Sequence, residues 1–404
     1  MFQEIFEKIK EAYPIVQQVA HHTPLDRSNT FSRMTGGEVF LKLECLQRTG
    51  SFKIRGATYA ISQFKPSEKE RGCVAASAGN HAQGVAYAAT TAGIKSTIVM
   101  PEFAPAAKIV ATQGYGAEVI LHGTSYDDAV MKAEKISAEN GAIFLHSFDN
   151  IDVISGQGTI GLELLEDEPG LDIVLVPIGG GGLISGISIA IKKIRPDIKI
   201  IGVQASGCPS MVESIRNGRI IEITKTDTIA DGIAVKKPSE TTLKIVNESV
   251  DDVITVTDDE ISHSIFMLLE RCKLVVEPAG AVGLAALLNN KLNVEGKKVG
   301  VVLSGGNIDM SLLERIIERS LYLENRFVKI TGLLPDKRET LKDLLLVIAT
   351  TKASVVSVEH ERTDPKIPLG RMKVTVTLEI SRSSHLDELM SNLQKAGYHF
   401  GVVK

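Results

Sequence analysis

The sequence lacks tryptophan, has few aromatic residues and carries no excess of basic charge. Aromatic residues make up 5% of the chain, and 45 lysines and arginines stand against 49 aspartates and glutamates, which gives a formal net charge of −4. Because a phosphate backbone is bound mainly by an excess of cationic side chains, this balance argues against nucleic acid as a partner. With 404 residues, of which 44% are hydrophobic, the chain is long enough for two or three folded domains.

The sequence also lacks a cysteine motif and a long apolar segment. Its four cysteines, Cys45, Cys73, Cys208 and Cys272, are far apart and form no CxxC pair. This spacing indicates neither a zinc site nor a disulfide framework, so we expect reduced thiols and no bound metal. No segment approaches the roughly 20 consecutive apolar residues of a membrane span. We therefore expect a cytoplasmic protein without a membrane partner.

From about residue 39 to residue 306, short β-branched segments alternate with longer helical patterns. The apolar segments include VFLKLE, CVAAS, STIVM, DIVLVPIG, KIIGVQAS and VGVVLSGG. This alternation predicts an α/β domain whose mostly parallel sheets are covered by helices. In such sheets, ligands bind where strands end and helices begin.

The pattern changes near residue 326. The last part of the chain reads as strand, helix, two strands, helix and strand. This βαββαβ order predicts a small module of the ferredoxin-like type at residues 326–404.

A glycine-rich run, PIGGGGLISG at residues 177–186, follows an apolar strand and opens a predicted helix. Consecutive glycines at a helix N-terminus can direct several backbone N–H groups toward one anion, which favours a phosphate site. The run does not fit a dinucleotide fingerprint, because Ser185 stands where the third glycine belongs. It does not fit a P-loop either, because Ile187 stands at the position of the lysine.

Four further segments place polar groups at the predicted ends of strands or inside apolar surroundings. SAGNHAQG, from Ser77 to Gly84, offers backbone donors suited to a carboxylate, together with Asn80 and His81. SGGN places a hydroxyl, Ser304, at the end of a strand, and VVEPAGA places Glu277 in an apolar run where a carboxylate needs a partner or a raised pKa. GSFKIRGA supplies a lysine, Lys53. A ligand with a phosphate and an aldehyde, such as pyridoxal phosphate, would use this set together.

These motifs in this order closely resemble the fold-type II pyridoxal-phosphate enzymes, which share the fold of the tryptophan synthase β chain, and specifically the threonine ammonia-lyases. The resemblance covers roughly residues 10–320. It implies a catalytic domain at residues 1–320, with a small mobile subdomain inserted at about residues 51–145. It also implies that Lys53 is the Schiff-base lysine and that Phe52 packs against the cofactor ring.

The same resemblance implies roles for the remaining motif residues. Asn80 would bind the ring 3-oxygen, Ser304 would face the pyridine nitrogen, and Glu277 belongs to the cofactor site. The phosphate would be held by the main chain of Gly179, Gly180, Gly181, Gly182 and Leu183, and the substrate carboxylate by the loop Ser77, Ala78, Gly79, Asn80 and His81.

The implied reaction is the elimination of the β-hydroxyl of L-threonine, which yields 2-oxobutanoate and ammonia, with L-serine as a second substrate that yields pyruvate. Threonine catabolism and isoleucine biosynthesis both contain such a step, and the sequence does not choose between them. Serine racemases are similar, but they carry a serine where this chain has Ala78, and Gln204 and Cys208 lie near the position of their acidic cation site. A β-replacing enzyme and a non-catalytic amino-acid sensor on the same fold also stay open.

The C-terminal βαββαβ module resembles an ACT domain, a regulatory unit that binds amino acids between copies. It implies a homo-oligomer, a dimer or a tetramer, with isoleucine or valine as the leading effector candidates.

Overall fold

The computed structural model describes residues 1–403, except for the side chain of Ser383. These residues form two compact units, one from Met1 to Asp309 and one that begins at Met310. In the first unit the strands are β1 Leu25–Arg27, β2 Glu38–Lys42, β3 Cys73–Ala76, β4 Ser96–Met100, β5 Glu118–Leu121, β6 Ile143–Phe144, β7 Ile173–Pro177, β8 Lys199–Ala205, β9 Asp252–Val256 and β10 Lys298–Val302.

Helices follow most of these strands. They are α1 Phe2–Gln17, α2 Asn29–Thr35, α3 Lys53–Ser62, α4 Pro66–Arg71, α5 Asn80–Thr91, α6 Ala106–Gly114, α7 Tyr126–Asn140, α8 Ile151–Asp167, α9 Gly182–Ile194, α10 Ser210–Asn217, α11 Glu240–Ser249, α12 Asp258–Met267 and α13 Pro278–Leu288. The alternation of strand and helix confirms the predicted α/β class.

The larger sheet of the first unit has six strands in the order β1-β2-β10-β7-β8-β9. All neighbouring strands pair in parallel except β1 and β2, which are antiparallel. Every residue of β7 is buried, as expected for a continuous apolar strand inside a sheet covered on both faces. Because β10 lies beside β7, the loops that follow these two strands leave the same edge of the sheet.

A second parallel sheet of four strands has the order β5-β4-β3-β6. Its strands lie between Cys73 and Phe144, inside the segment 51–145 for which the sequence predicts a small subdomain. This sheet has its own apolar core, built largely from alanines of α3 and α5 together with Ile98 and Met100 of β4. The mobility of the segment remains a prediction.

The second unit contains α14 Met310–Leu323, β11 Phe327–Pro335, α15 Thr340–Ala349, β12 Ser354–Glu361, β13 Arg371–Glu379, α16 Ser383–Lys395 and β14 Phe400–Val403. Its antiparallel sheet has the order β12-β13-β11-β14, which confirms the predicted βαββαβ arrangement. Alternate residues of β13 point into the core beside Leu344 of α15 and Leu389 of α16. Helix α14 groups with this unit, so the compact units divide before Met310, whereas the sequence-based boundary lies after residue 320.

Candidate active site

Lys53 begins helix α3 directly after a segment that is attached to the end of strand β10. The N–H of Phe52 donates to the carbonyl oxygen of Ser304 at 3.1 Å, and Ser51 forms an isolated antiparallel bridge with Gly305. These contacts join two motifs that lie far apart in the sequence. Lys53 therefore stands at the carboxyl edge of the larger sheet, where a ligand is expected.

The amine of Lys53 has a neutral carbonyl as its hydrogen-bond partner. Its Nζ donates to the carbonyl oxygen of Ser147 at 2.9 Å and lies 5.2 Å from the centre of the Phe52 ring. Burial lowers the pKa of Lys53 to about 8, against the opposing effect of the negative charge of Glu277. A substantial fraction of the amine is therefore neutral near pH 8, which is the form that reacts with a carbonyl group.

The glycine run lies where the sequence predicts it, between β7 and α9. Gly181 has a φ of 96° and precedes the first residue of α9, a conformation that favours glycine. A Cβ on Gly182 would lie 2.9 Å from Cβ of Phe148, and one on Gly180 would meet the Phe148 ring. Bare backbone is thus required here, and the first N–H groups of α9 lack partners within the helix. The loop fits a phosphate group.

The loop Ser77–His81 connects β3 to α5. The Ser77 hydroxyl accepts a hydrogen bond from the N–H of Gly79 at 3.1 Å, and Ala78, Gly79 and Asn80 are partly exposed. The ring of His81 is buried, with Nε2 2.9 Å from the carbonyl oxygen of Leu145, and burial lowers its pKa to about 3. His81 is therefore neutral, and its ring packs into the structure behind the loop.

Glu277 has both features that the sequence requires of a buried carboxylate. It accepts a hydrogen bond of 2.7 Å from Nδ2 of Asn80, and burial, assisted by the negative charge of Asp231, raises its pKa to about 7. The backbone of Gly305 passes so close to this carboxylate that a Cβ there would overlap it. Glu277 thus links the Asn80 loop to the Ser304 loop.

Ser304 lies two residues beyond the end of β10 and is buried. Its carbonyl oxygen accepts the hydrogen bond from Phe52, the residue before Lys53. The next residue, Gly305, accepts a hydrogen bond of 3.0 Å at its carbonyl oxygen from the N–H of Glu277. Ser304 therefore lies where the predicted site residues Lys53, Asn80 and Glu277 converge.

Two residues of the site, Ser147 and Phe148, are not predicted from the sequence. The carbonyl of Ser147 and the ring of Phe148 lie in a segment that reads as a strand, AIFLHS at residues 142–147, but β6 ends at Phe144. His146 then turns back, and its Nδ1 accepts from the N–H groups of Phe148 and Asp149. The local signal for this turn is the polar sequence HSFDN at residues 146–150, whose Ser, Asp and Asn residues favour turns.

A buried network of charged residues around Arg55 of helix α3 is also not predicted from the sequence. Arg55 lies between Glu44 and Glu163, and Lys42 Nζ lies 2.8 Å from Glu163 Oε2. Burial alone would raise the pKa of Glu44, but the adjacent Arg55 holds it below its ordinary value. These charges are paired, as burial requires, and they attach the start of α3 to β2 and α8.

Among the residues that the structure describes, no group of three or more His, Cys, Asp or Glu side chains could hold a metal ion. No helix in residues 1–403 is long and apolar enough to cross a membrane.

The fold and the site define an α/β enzyme in which a glycine-rich loop that fits a phosphate group lies near a lysine amine of lowered pKa. Residues 16–305 match the family described as pyridoxal-phosphate dependent enzyme, and residues 325–397 match an ACT domain family. The chain belongs to the family of pyridoxal-phosphate dependent enzymes and carries a C-terminal ACT domain.

Two similar proteins are each called L-threonine ammonia-lyase. The one from Thermotoga maritima is 49% identical over 397 residues, which cover 98% of this chain and 99% of that protein. The one from Geobacter sulfurreducens is 44% identical over 396 residues, which cover 98% of each.

Solved structures agree on the fold. Threonine deaminase isoform 2 from Solanum lycopersicum matches with a TM-score of 0.76 and 35% identity, over 78% of this chain and 88% of that chain. Maize serine racemase matches with a TM-score of 0.74 and 38% identity, over 79% of this chain and 98% of that chain.

Proposed function

We propose that this protein is a threonine ammonia-lyase, which converts L-threonine into 2-oxobutanoate and ammonia and L-serine into pyruvate and ammonia. The observation that carries the proposal is the amine of Lys53, whose pKa is lowered to about 8 and which binds the carbonyl of Ser147, directly before the Phe148 ring that packs on the glycine loop. Similarity to two proteins called L-threonine ammonia-lyase over 98% of the chain supports this choice of substrate.

The described residues fit pyridoxal phosphate, because backbone without side chains is required at Gly180 and Gly182 and an amine stands nearby. The backbone N–H groups of Gly179–Leu183 would hold the phosphate, and Lys53 would bind the aldehyde carbon. Asn80 and Ser304 would contact the 3-oxygen and the ring nitrogen, and Phe52 would pack on the ring. When bound, this cofactor supplies a conjugated electron sink for charge that develops at the α-carbon of the substrate.

Lys53 also acts as the base. With substrate bound, the Lys53 amine would be free, and a pKa near 8 would keep a useful fraction of it neutral. Its Nζ takes the proton from the α-carbon, and the carbonyl of Ser147 orients it. A protonated Lys53 would lose this ability, so elimination requires pH values that are not far below the pKa.

The loop Ser77–His81 binds the substrate carboxylate through backbone N–H groups at the start of α5. The helix N-terminus adds a favourable dipole for this negative charge. The bond from Gly79 N–H to the Ser77 hydroxyl shapes the turn, and neutral His81 fixes the loop from behind without competing for the anion.

For regulation and assembly, we propose that the ACT domain binds isoleucine or valine and that the protein works as a homo-oligomer, a dimer or a tetramer, in the cytoplasm. The match of residues 325–397 to an ACT domain family supports the amino-acid effector site.

Serine racemisation is the second candidate, favoured by the similarity to maize serine racemase. Racemisation needs a proton donor on the face of the α-carbon opposite Lys53. Ala78 carries no such group, so this candidate ranks below elimination.

The testing experiment measures 2-oxobutanoate formation from L-threonine by the full-length protein supplied with pyridoxal phosphate. Wild type should form product, and Lys53→Ala should lose at least about a thousandfold in rate, because it removes both the covalent attachment and the base. Lys69→Ala, on the exposed surface of α4, is the matched control and should retain wild-type activity. Added isoleucine or valine should change the rate of wild type. Absence of product from both L-threonine and L-serine in a protein that binds the cofactor would overturn the proposal.

A further inference from the structure

Two asparagine side chains and a carboxylate form a chain of hydrogen bonds at the site. Asn307 Nδ2 lies 2.8 Å from the carbonyl oxygen of Thr49 and 2.7 Å from Oδ1 of Asn80. Asn80 Nδ2 in turn lies 2.7 Å from Oε1 of Glu277. The three side chains come from separate loops, and Asn307 has no role in the proposed reaction so far.

The carbonyl oxygen of Thr49 determines which atoms donate and which accept in this series of hydrogen bonds. The Thr49 carbonyl belongs to the backbone and can only accept a hydrogen bond. Because Asn307 presents one terminal atom to both Thr49 and Asn80, that atom must be the nitrogen. If the Asn307 amide were turned over, its oxygen would face the Thr49 oxygen at hydrogen-bond distance with no proton between them.

The orientation of the Asn307 amide in turn fixes the orientation of the Asn80 amide. An amide nitrogen has two N–H groups, and Asn307 uses one on Thr49 and one on Asn80. Asn80 must therefore receive with its oxygen, which turns its own nitrogen toward Glu277. This result does not depend on the protonation of Glu277, because the fixed acceptor is the Thr49 carbonyl.

The backbone next to Thr49 holds the Asn307 side chain in place. Gly50, with a φ of 71°, stands so close to Asn307 that a Cβ would overlap its amide. The carbonyl of Gly50 accepts from the N–H of Gly306 at 2.8 Å, which ties the loop of Asn307 to the segment that leads to Lys53.

We propose that Asn307 is a positioning residue that fixes the amide of Asn80, so that Asn80 offers N–H groups rather than its oxygen to the cofactor. One N–H of Asn80 goes to Glu277. The other stays available for the 3-oxygen of pyridoxal phosphate, an acceptor that the oxygen of a reversed amide would repel. The inference rests on the proposed function, because it takes pyridoxal phosphate as the ligand.

Asn307→Asp tests this inference with almost no change in shape. A carboxylate can only accept, so it repels the Thr49 carbonyl and attracts the nitrogen of Asn80, which then turns its oxygen toward the cofactor. We expect cofactor binding to the apoprotein to weaken by about tenfold or more, as when a hydrogen bond to a charged acceptor is lost. Asn307→Ala leaves the Asn80 amide free to take either orientation but does not reverse it, so this variant should lose less affinity for the cofactor than Asn307→Asp.

The decisive measurement is a double-mutant cycle with Asn80→Ala. Dissociation constants for pyridoxal phosphate are measured by titration of the full-length apoproteins, with their Tm values as the check on folding. If Asn307 acts through Asn80, Asn307→Asp and Asn307→Ala should each weaken binding in the Asn80 background and change it less than about twofold in the Asn80→Ala background.

Equal losses in both backgrounds would overturn the positioning role and assign Asn307 an independent one, and so would unchanged binding by Asn307→Asp. If Asn307→Asp fails to fold, the cycle with Asn307→Ala decides on the same criterion. Failure of wild type to bind pyridoxal phosphate would instead end the proposed function, and this is measured before any variant.

Discussion

Arg55 and Glu163 face each other through two hydrogen bonds, of 2.6 and 2.9 Å, although 108 residues separate them in the chain. Both side chains are completely buried, and Arg55 also holds Glu44 at 2.7 Å. Arg55 is one half-turn beyond Lys53 on α3. The pair therefore fixes the helix that begins at the reactive lysine.

Replacing Arg55 with methionine should destabilise the protein by about 3–5 kcal/mol, because Glu44 would lose its buried cation and Glu163 would keep only Lys42 as a partner. Urea denaturation of the ligand-free protein measures this difference. The matched control, Arg33→Met on the exposed side of α2, should change stability by less than about 0.5 kcal/mol. Equal effects of the two substitutions would contradict a structural role for the buried network.

The amine of Lys53 should react with amine-directed reagents at lower pH than ordinary lysines do. Its pKa is lowered to about 8 by burial, so in the ligand-free protein its labelling rate should rise with pH, reach half of its plateau near pH 8 and level off above that. A lysine with the ordinary pKa of a free side chain should continue to gain reactivity up to about pH 10. Residue-specific labelling, followed by mass spectrometry after digestion, gives both profiles.

Glu277→Gln should move the Lys53 profile to lower pH. The negative charge of Glu277 raises the pKa of Lys53, so its removal lowers this pKa further and enlarges the neutral fraction below pH 8. Glu102→Gln, an exposed residue before α6, should leave the profile unchanged. A shift to higher pH in Glu277→Gln would show that the two groups do not interact as the geometry indicates.

Gly180→Ala should weaken cofactor binding and destabilise the protein, since the new methyl group meets the Phe148 ring. Overpacking of this kind typically costs about 1–3 kcal/mol. Adding Phe148→Ala should restore part of the stability, because the obstructing ring is gone, while Gly114→Ala, which has open space around it, should be neutral. Thermal unfolding of the apoproteins and titration with pyridoxal phosphate separate the two effects. A loss of stability that Phe148→Ala does not relieve would argue against the ring contact.

The division between what the sequence predicts and what it misses has a physical basis. Lys53, the glycine run and Ser304 are marked by local patterns, because a strand end, a helix start and bare backbone each need particular residue types. The partners of these residues leave no such mark. Asn80 and Glu277 are 197 residues apart, and their hydrogen bond depends on the packing of two loops.

The same limit applies to the charged residues behind the site. Lys42 lies in an alternating strand segment and Glu163 in a helix, where each reads as an ordinary solvent-facing side chain. Only the tertiary structure shows that both are buried and paired. The position of Phe148 is also missed, because the apolar residues before it predict a longer strand, whereas the chain turns at His146.

Ala78→Ser tests why the proposed reaction is elimination rather than racemisation. The loop Ser77–Asn80 lies at the start of α5, and a hydroxyl at position 78 would add a proton donor and acceptor to a loop that offers a methyl group there. If the missing group is what limits racemisation, Ala78→Ser should form D-serine from L-serine, measured by chiral chromatography, at the expense of pyruvate. Ala107→Ser, on the exposed surface of α6, should form none. Unchanged stereochemistry in Ala78→Ser would mean that the choice of reaction is set elsewhere in the site, and the carboxylate of Glu277 would then be the next group to replace.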